Sequence, residues 1–157
     1  MPTYSVSTVT ATLVASTAYT AIELKPPAGG GIKVLKWWVE LNGASTDKYV
    51  LVQMGLFSAA VTTLTSIAAA NVPKVDYGQN GLNAQSTVGV NATVEGAGTF
   101  TANQEQHNWP PNSQQTFWET DLTSWLFLPA ATSVRIRLTP GNTITSTTAT
   151  CGMTWFE

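Results

Sequence analysis

The stretch Ile32-Lys33-Val34-Leu35-Lys36-Trp37-Trp38-Val39-Glu40-Leu41-Asn42-Gly43 decides how this chain folds. Ile32 and Val34 alternate with Lys33. The apolar phase then slips by one residue, so that Leu35, Trp37, Val39 and Leu41 alternate with Lys36, Trp38 and Glu40. Period-two alternation marks a strand with one buried face. A one-residue slip turns every later side chain to the other face, so a strand of this length predicts a β-bulge or bend near Leu35. A bend of that kind lets one strand serve two sheets. Asn42-Gly43 closes the strand with a turn pair, and Tyr49 to Phe57 (YVLVQMGLF) then runs apolar on both faces, the pattern of a strand in the middle of a domain.

Outward from this stretch the same period recurs and helical periodicity is nearly absent. Thr87 to Glu95 alternates Val88, Val90, Ala92 and Val94 with polar residues. SVRIRLT (133–139) and TTATCGMTWFE (147–157) repeat the pattern around Pro140-Gly141-Asn142, which predicts a hairpin. Arg135 and Arg137 read as the solvated face of the first of these strands. Tyr4 to Leu13 and Thr17 to Leu24 read as outer strands, and Pro26-Pro27-Ala28-Gly29-Gly30-Gly31 as a loop. Ser58 to Ala70 is compatible with a helical turn or two. Phe117 to Glu119 and Leu122 to Leu128 complete the strands, while 58–86 and 102–115 read as long connections. About eight to ten short strands without a repeat predict one antiparallel β-sandwich over residues 1–157, all-β and jelly-roll-like, with its long loops in the middle of the chain.

The composition bounds the partners. Of 157 residues 43% are hydrophobic and only 10% charged, against about 25% in an average soluble domain. Hydroxyls and amides therefore cover the surface, and a formal charge of −2 gives little protection against self-association. Seven dispersed Lys and Arg make no phosphate-binding patch, so nucleic acid is not an expected partner. The N-terminal MPTYSVSTVT has neither a basic n-region nor an apolar h-region, and no apolar run approaches the roughly 20 residues that cross a bilayer. The expected site of synthesis is a cytosol, and no membrane partner is expected.

Catalysis is the reading that Glu105-Gln106-His107-Asn108-Trp109-Pro110-Pro111-Asn112 invites, because it holds the one histidine beside a carboxylate. A hydrolase triad needs a base, an orienter and a presented nucleophile, and no G-x-S-x-G elbow supplies the serine. One His and one Cys do not complete a metal site, and the carboxylates occur singly. Glu119 and Asp121, beside Trp118 and Trp125, are the best pair for glycoside chemistry, but nothing else singles them out. Cys151 alternates with Ala149, Met153 and Trp155 and reads as a buried, inert thiol. The chain is therefore expected not to be an enzyme and to need no cofactor or metal.

The aromatic residues point instead to a contact surface. Trp37 and Trp155 fall in phase with apolar neighbours and read as core, whereas Trp38 lies out of phase between Lys36 and Glu40. Trp109 and Trp118 flank a long predicted loop stiffened by Pro110 and Pro111. Partly exposed Trp dominates interfaces, and proline lowers the entropy lost on fixing a loop. The expected interface residues are Trp38, His107, Trp109, Pro110, Pro111 and Trp118.

The two ends of the chain also carry a likeness to a known group. Leu13, Ala15, Ser16, Thr17, Ala18, Leu24, Pro27, Val34, Leu35, Trp37 and Gly43, with the VRIRLT strand, the Pro-Gly turn and the aromatic pair before Glu157, resemble small virion structural proteins of tailed phages and prophages. The resemblance implies a non-enzymatic capsid decoration (cement) protein on the virion surface, made in the bacterial host cytoplasm. It further implies a homo-oligomer, a trimer, that binds the major capsid protein of the head lattice. The alternative is a glycan-binding module of a virion surface or tail fibre protein, with Trp109 and Trp118 as stacking platforms.

Overall fold

A computed structural model describes residues 2–44, 46–57, 64–75, 83–92, 95, 100–118, 126–128 and 132–157, with the backbone alone at 100–105, 117–118 and 126–128. Its strands are β1 (Thr3–Ser7), β2 (Ala11–Thr12), β3 (Tyr19–Lys25), β4 (Ile32–Asn42), β5 (Val50–Phe57), β6 (Thr65–Ile67), β7 (Thr87–Val90), β8 (Phe100–Trp109), β9 (Ser113–Trp118), β10 (Leu126–Leu128), β11 (Ser133–Pro140) and β12 (Thr148–Phe156). A single 3-10 turn, Ala69–Asn71, is the one helical element among the described residues. All pairings between these strands are antiparallel.

The strands form two sheets packed as a sandwich. The first runs β1-β12-β4-β10, with β2 beside β12 and β9 beside β4; the second runs β6-β7-β3-β11-β5-β8. Followed along the chain, β1, β3, β4, β5, β8, β9, β11 and β12 lie in the first, second, first, second, second, first, second and first sheet. That crossing pattern, with β6 and β7 as an appended pair, is a jelly roll.

The phase slip in β4 has the predicted cause. Thr154 pairs with Lys36 and Trp155 with Val34, so Leu35 is the extra residue of a bulge. The bulge keeps Ile32, Val34, Trp37, Val39 and Leu41 all on the buried face. It does not pass β4 between sheets. Its outer neighbour changes instead: β10 pairs with Ile32–Val34 and β9 with Lys36–Leu41. Opposite these side chains stand Ile22, Leu24, Val50, Val52, Met54, Val134, Ile136 and Leu138, and the two sets form one core cluster.

Several expectations are corrected. β11 and β12 do not form a hairpin, since they belong to different sheets. The Pro-Gly-Asn sequence turns the chain without pairing its flanks: Gly141 N–H donates to Tyr49 O at 3.0 Å, extending the β11–β5 ladder. Among the described residues of 87–95 the strand ends at Val90, where Asn91 takes a left-handed φ of 51°. β3 is an interior strand between β7 and β11. Residues 102–115 are not a long loop; all but 110–112 lie in β8 and β9. β8 is polar because it is the edge of its sheet, where alternation is weak.

Arg135 is not solvated. It is fully buried on the face of β11 away from the core, where its Nε meets the Glu23 carboxylate at 2.5 Å and its guanidinium lies 4.0 Å from the Phe57 ring centroid. Glu95 Oε1 stands 3.8 Å from Arg135 Nη1 and 3.6 Å from Arg137 Nε, while its other oxygen accepts from Thr20 Oγ1. Paired charge takes the place of water around Arg135, while Arg137 is only half-buried.

Candidate functional site

β8 and the connection after it hold most of the expected interface residues. Register places His107 opposite Val52 and Trp109 opposite Val50, the two core-facing residues at the start of β5. Trp109 is accordingly 7% exposed, and its ring stacks on Trp37 of the other sheet at 6.2 Å and 10°. His107, half-buried, stacks on Trp109 at 6.0 Å and 19°. The three rings close the gap between the sheets at the β8 edge. Trp109 is thus a core residue, unable to serve as an exposed contact or a stacking platform. Pro111 is buried as well, and Pro110 alone of the pair is exposed.

Trp38 points out of the sandwich, as its phase predicts. A Cβ on Gly152 of the neighbouring strand would collide with the Trp38 indole, so the ring fills the space over that glycine. Trp118 pairs with Lys36, on the other side of β4. The side chain of Trp118, and Glu119, Asp121 and Trp125, lie outside the described residues.

The loops at the Trp109 end of the sandwich are held by Asp47, which in the sequence is one of several isolated acids with no calcium-loop run around it. Asp47, buried, accepts from Thr145 N–H at 3.1 Å, Thr145 Oγ1 at 2.8 Å, Ser146 N–H at 3.4 Å and Thr147 Oγ1 at 2.8 Å. Desolvation raises its pKa, but the hydrogen bonds from Thr145, Thr147 and Ser146 outweigh it and hold the carboxyl below its usual range. Backbone bonds tie in the other loops: Leu13 N–H to Thr147 O at 2.9 Å, Ser16 N–H to Gly141 O at 3.3 Å and Lys48 N–H to Thr143 O at 3.0 Å. Ser113 Oγ donates to Pro110 O at 2.8 Å. The only signal in the sequence was the Thr145-Ser146-Thr147 run, whose hydroxyls suit a carboxylate.

This braced end exposes apolar side chains. Val14 is 64% and Tyr49 52% exposed, on loops joined through Gly141. Val14 also forms one lip of a cleft of about 500 Å³ walled by Leu13, Ala18, Tyr19 and Ala92, with Glu95 at its border. Tyr19 O–H donates to Asn91 Oδ1, and burial, aided by Cys151, raises its pKa. Burial likewise raises the pKa of the Cys151 thiol, which keeps it protonated and inert.

Among the described residues no three His, Cys, Asp or Glu side chains gather into a metal-binding group. No helix among them is long and apolar enough to cross a membrane. Comparisons of the chain with protein-family models, with curated proteins and with solved structures return no match.

Proposed function

We propose that this chain is a virion structural protein of a tailed phage, a decoration or cement protein that sits on the capsid surface. It binds its own copies as a homotrimer and the major capsid protein of the head lattice, and it is made in the host cytoplasm. The observation that carries the reading is the braced end, where Val14, Tyr49 and Pro110 are exposed on loops already fixed by hydrogen bonds. The jelly roll, the scarcity of charge and the likeness of the chain's two ends to virion proteins support it.

The mechanism is interfacial burial. Fully covering a Val or a similar apolar side chain is worth roughly 1.5–3 kcal/mol, and loops that are ordered beforehand lose little further entropy on docking. A stable contact needs about 800 Å² from each partner, so further residues of the same end must join these three. Each subunit added across neighbouring capsomers then raises the energy needed to part them. Val14→Asp and Tyr49→Asp test the reading: both are expected to abolish trimer formation and binding to phage heads while leaving the circular dichroism spectrum unchanged. Trimers and head binding that survive the double variant contradict it.

A further inference from the structure

The outer face of the first sheet offers a second surface, separate from the braced end. The row across the sheet through Trp38 reads Ser7, Gly152, Trp38, Thr116, and beyond it Thr150 and Gln114 flank Glu40. Adjacent strands set these side chains about 4.8 Å apart in each row. Trp38 is half-buried, its indole resting where Gly152 has no side chain. Ser7, Thr116 and Gln114 are exposed and Thr150 is half-buried. The described residues next to Trp38 on its own and the paired strands carry hydroxyls and an amide, and one charge of each sign, Lys36 and Glu40.

We propose that this face binds a neutral saccharide, with Trp38 as the stacking platform. The occupant follows from what the face has and lacks. A protein partner needs an apolar core within about 800 Å² per side, and the described side chains next to Trp38, which are hydroxyls, an amide and two charges, do not supply one. A phosphate-bearing ligand needs clustered cations, and here the single Lys36 on one side of Trp38 is offset by Glu40 on the other. A sugar ring presents C–H bonds to the indole and hydroxyls at its rim, which meet the alternating donors and acceptors of Ser7, Thr116, Thr150 and Gln114. Gly152 fixes the ring in place beforehand, so little freedom is lost on binding.

The test is a titration of the purified protein with short neutral oligosaccharides of glucose, galactose or N-acetylglucosamine, followed by tryptophan fluorescence and by chemical shifts of residues on β4 and β12. At least one sugar is expected to give a saturable response, weakened about tenfold or more by Trp38→Ala. The Val14→Asp, Tyr49→Asp variant should bind it unchanged, which separates this proposal from the assembly reading. Thr116→Val with Thr150→Val keeps the ring and the strand preference and should still weaken binding severalfold, so the test survives misfolding of the Trp38 variant. No response to any of the sugars, or a response untouched by the substitutions on this face, overturns the proposal.

Discussion

At the scale of single residues, two buried acids set the expected responses. Asp47 has its pKa lowered by the hydrogen bonds it accepts, so its contribution to stability is complete above the unfolded value of about 3.9 and is lost as pH falls through the folded value. The melting temperature of the wild type should therefore exceed that of Asp47→Asn at neutral pH, and the gap should narrow below about pH 4, where the unfolded carboxyl protonates. A gap that is constant with pH would remove Asp47 as the brace. On the outer face of the second sheet, Arg135→Ala takes from Glu23 its buried partner and leaves it the more exposed Lys25 Nζ at 3.3 Å, so urea unfolding should register a loss of up to about 3–5 kcal/mol. Replacing Glu23 and Arg135 together with Gln and Met should recover much of that loss, because a buried pair contributes less than either orphaned charge costs. The sequence hid both features. Alternation with Val134 and Ile136 places Arg135 away from the core correctly, but alternation cannot say whether a face away from the core is wet.

At the scale of elements, register explains most of what was legible. The slip at Leu35 was readable because a period of two makes a single inserted residue shift every later position, and the bulge stands where the phase changes. Deleting Leu35 should put Lys36–Leu41 out of step with both β12 and β9 and destabilise the fold far more than Leu35→Ala, as measured by denaturant midpoint. Equal costs would mean that the bulge does not pin the register. The interior strand β5 was legible for a similar reason, its apolar run being buried on both faces. The β11–β12 connection was not, because a Pro-Gly-Asn turn fixes local direction while partner choice is decided by strands distant in sequence. β8 was missed because an edge strand that faces solvent can be polar along much of its length, and Trp109, taken for a loop residue on that account, lies in the core against Trp37.

At the scale of the whole molecule, the sandwich leaves its two outer faces unequal. The second sheet carries buried paired charge and the first an open field of hydroxyls around Trp38, while the braced end projects Val14, Tyr49 and Pro110. With only 10% charged residues, association through that end should depend weakly on ionic strength, and sedimentation should show the same oligomer at low and high salt. The sandwich was legible from the number of alternating strands, whereas connection length was a poor guide to its topology, since 102–115 is almost all strand. The contact surface was not, since exposure of Val14 and Tyr49 depends on how four loops from distant parts of the chain meet. The most direct test of the central claim is to incubate phage heads stripped of this protein with wild type or with the Val14→Asp, Tyr49→Asp variant and count the copies bound. Wild type should saturate the lattice and raise the temperature at which heads rupture, and the variant should do neither; binding confined to a single vertex, or equal binding by both proteins, would contradict the account.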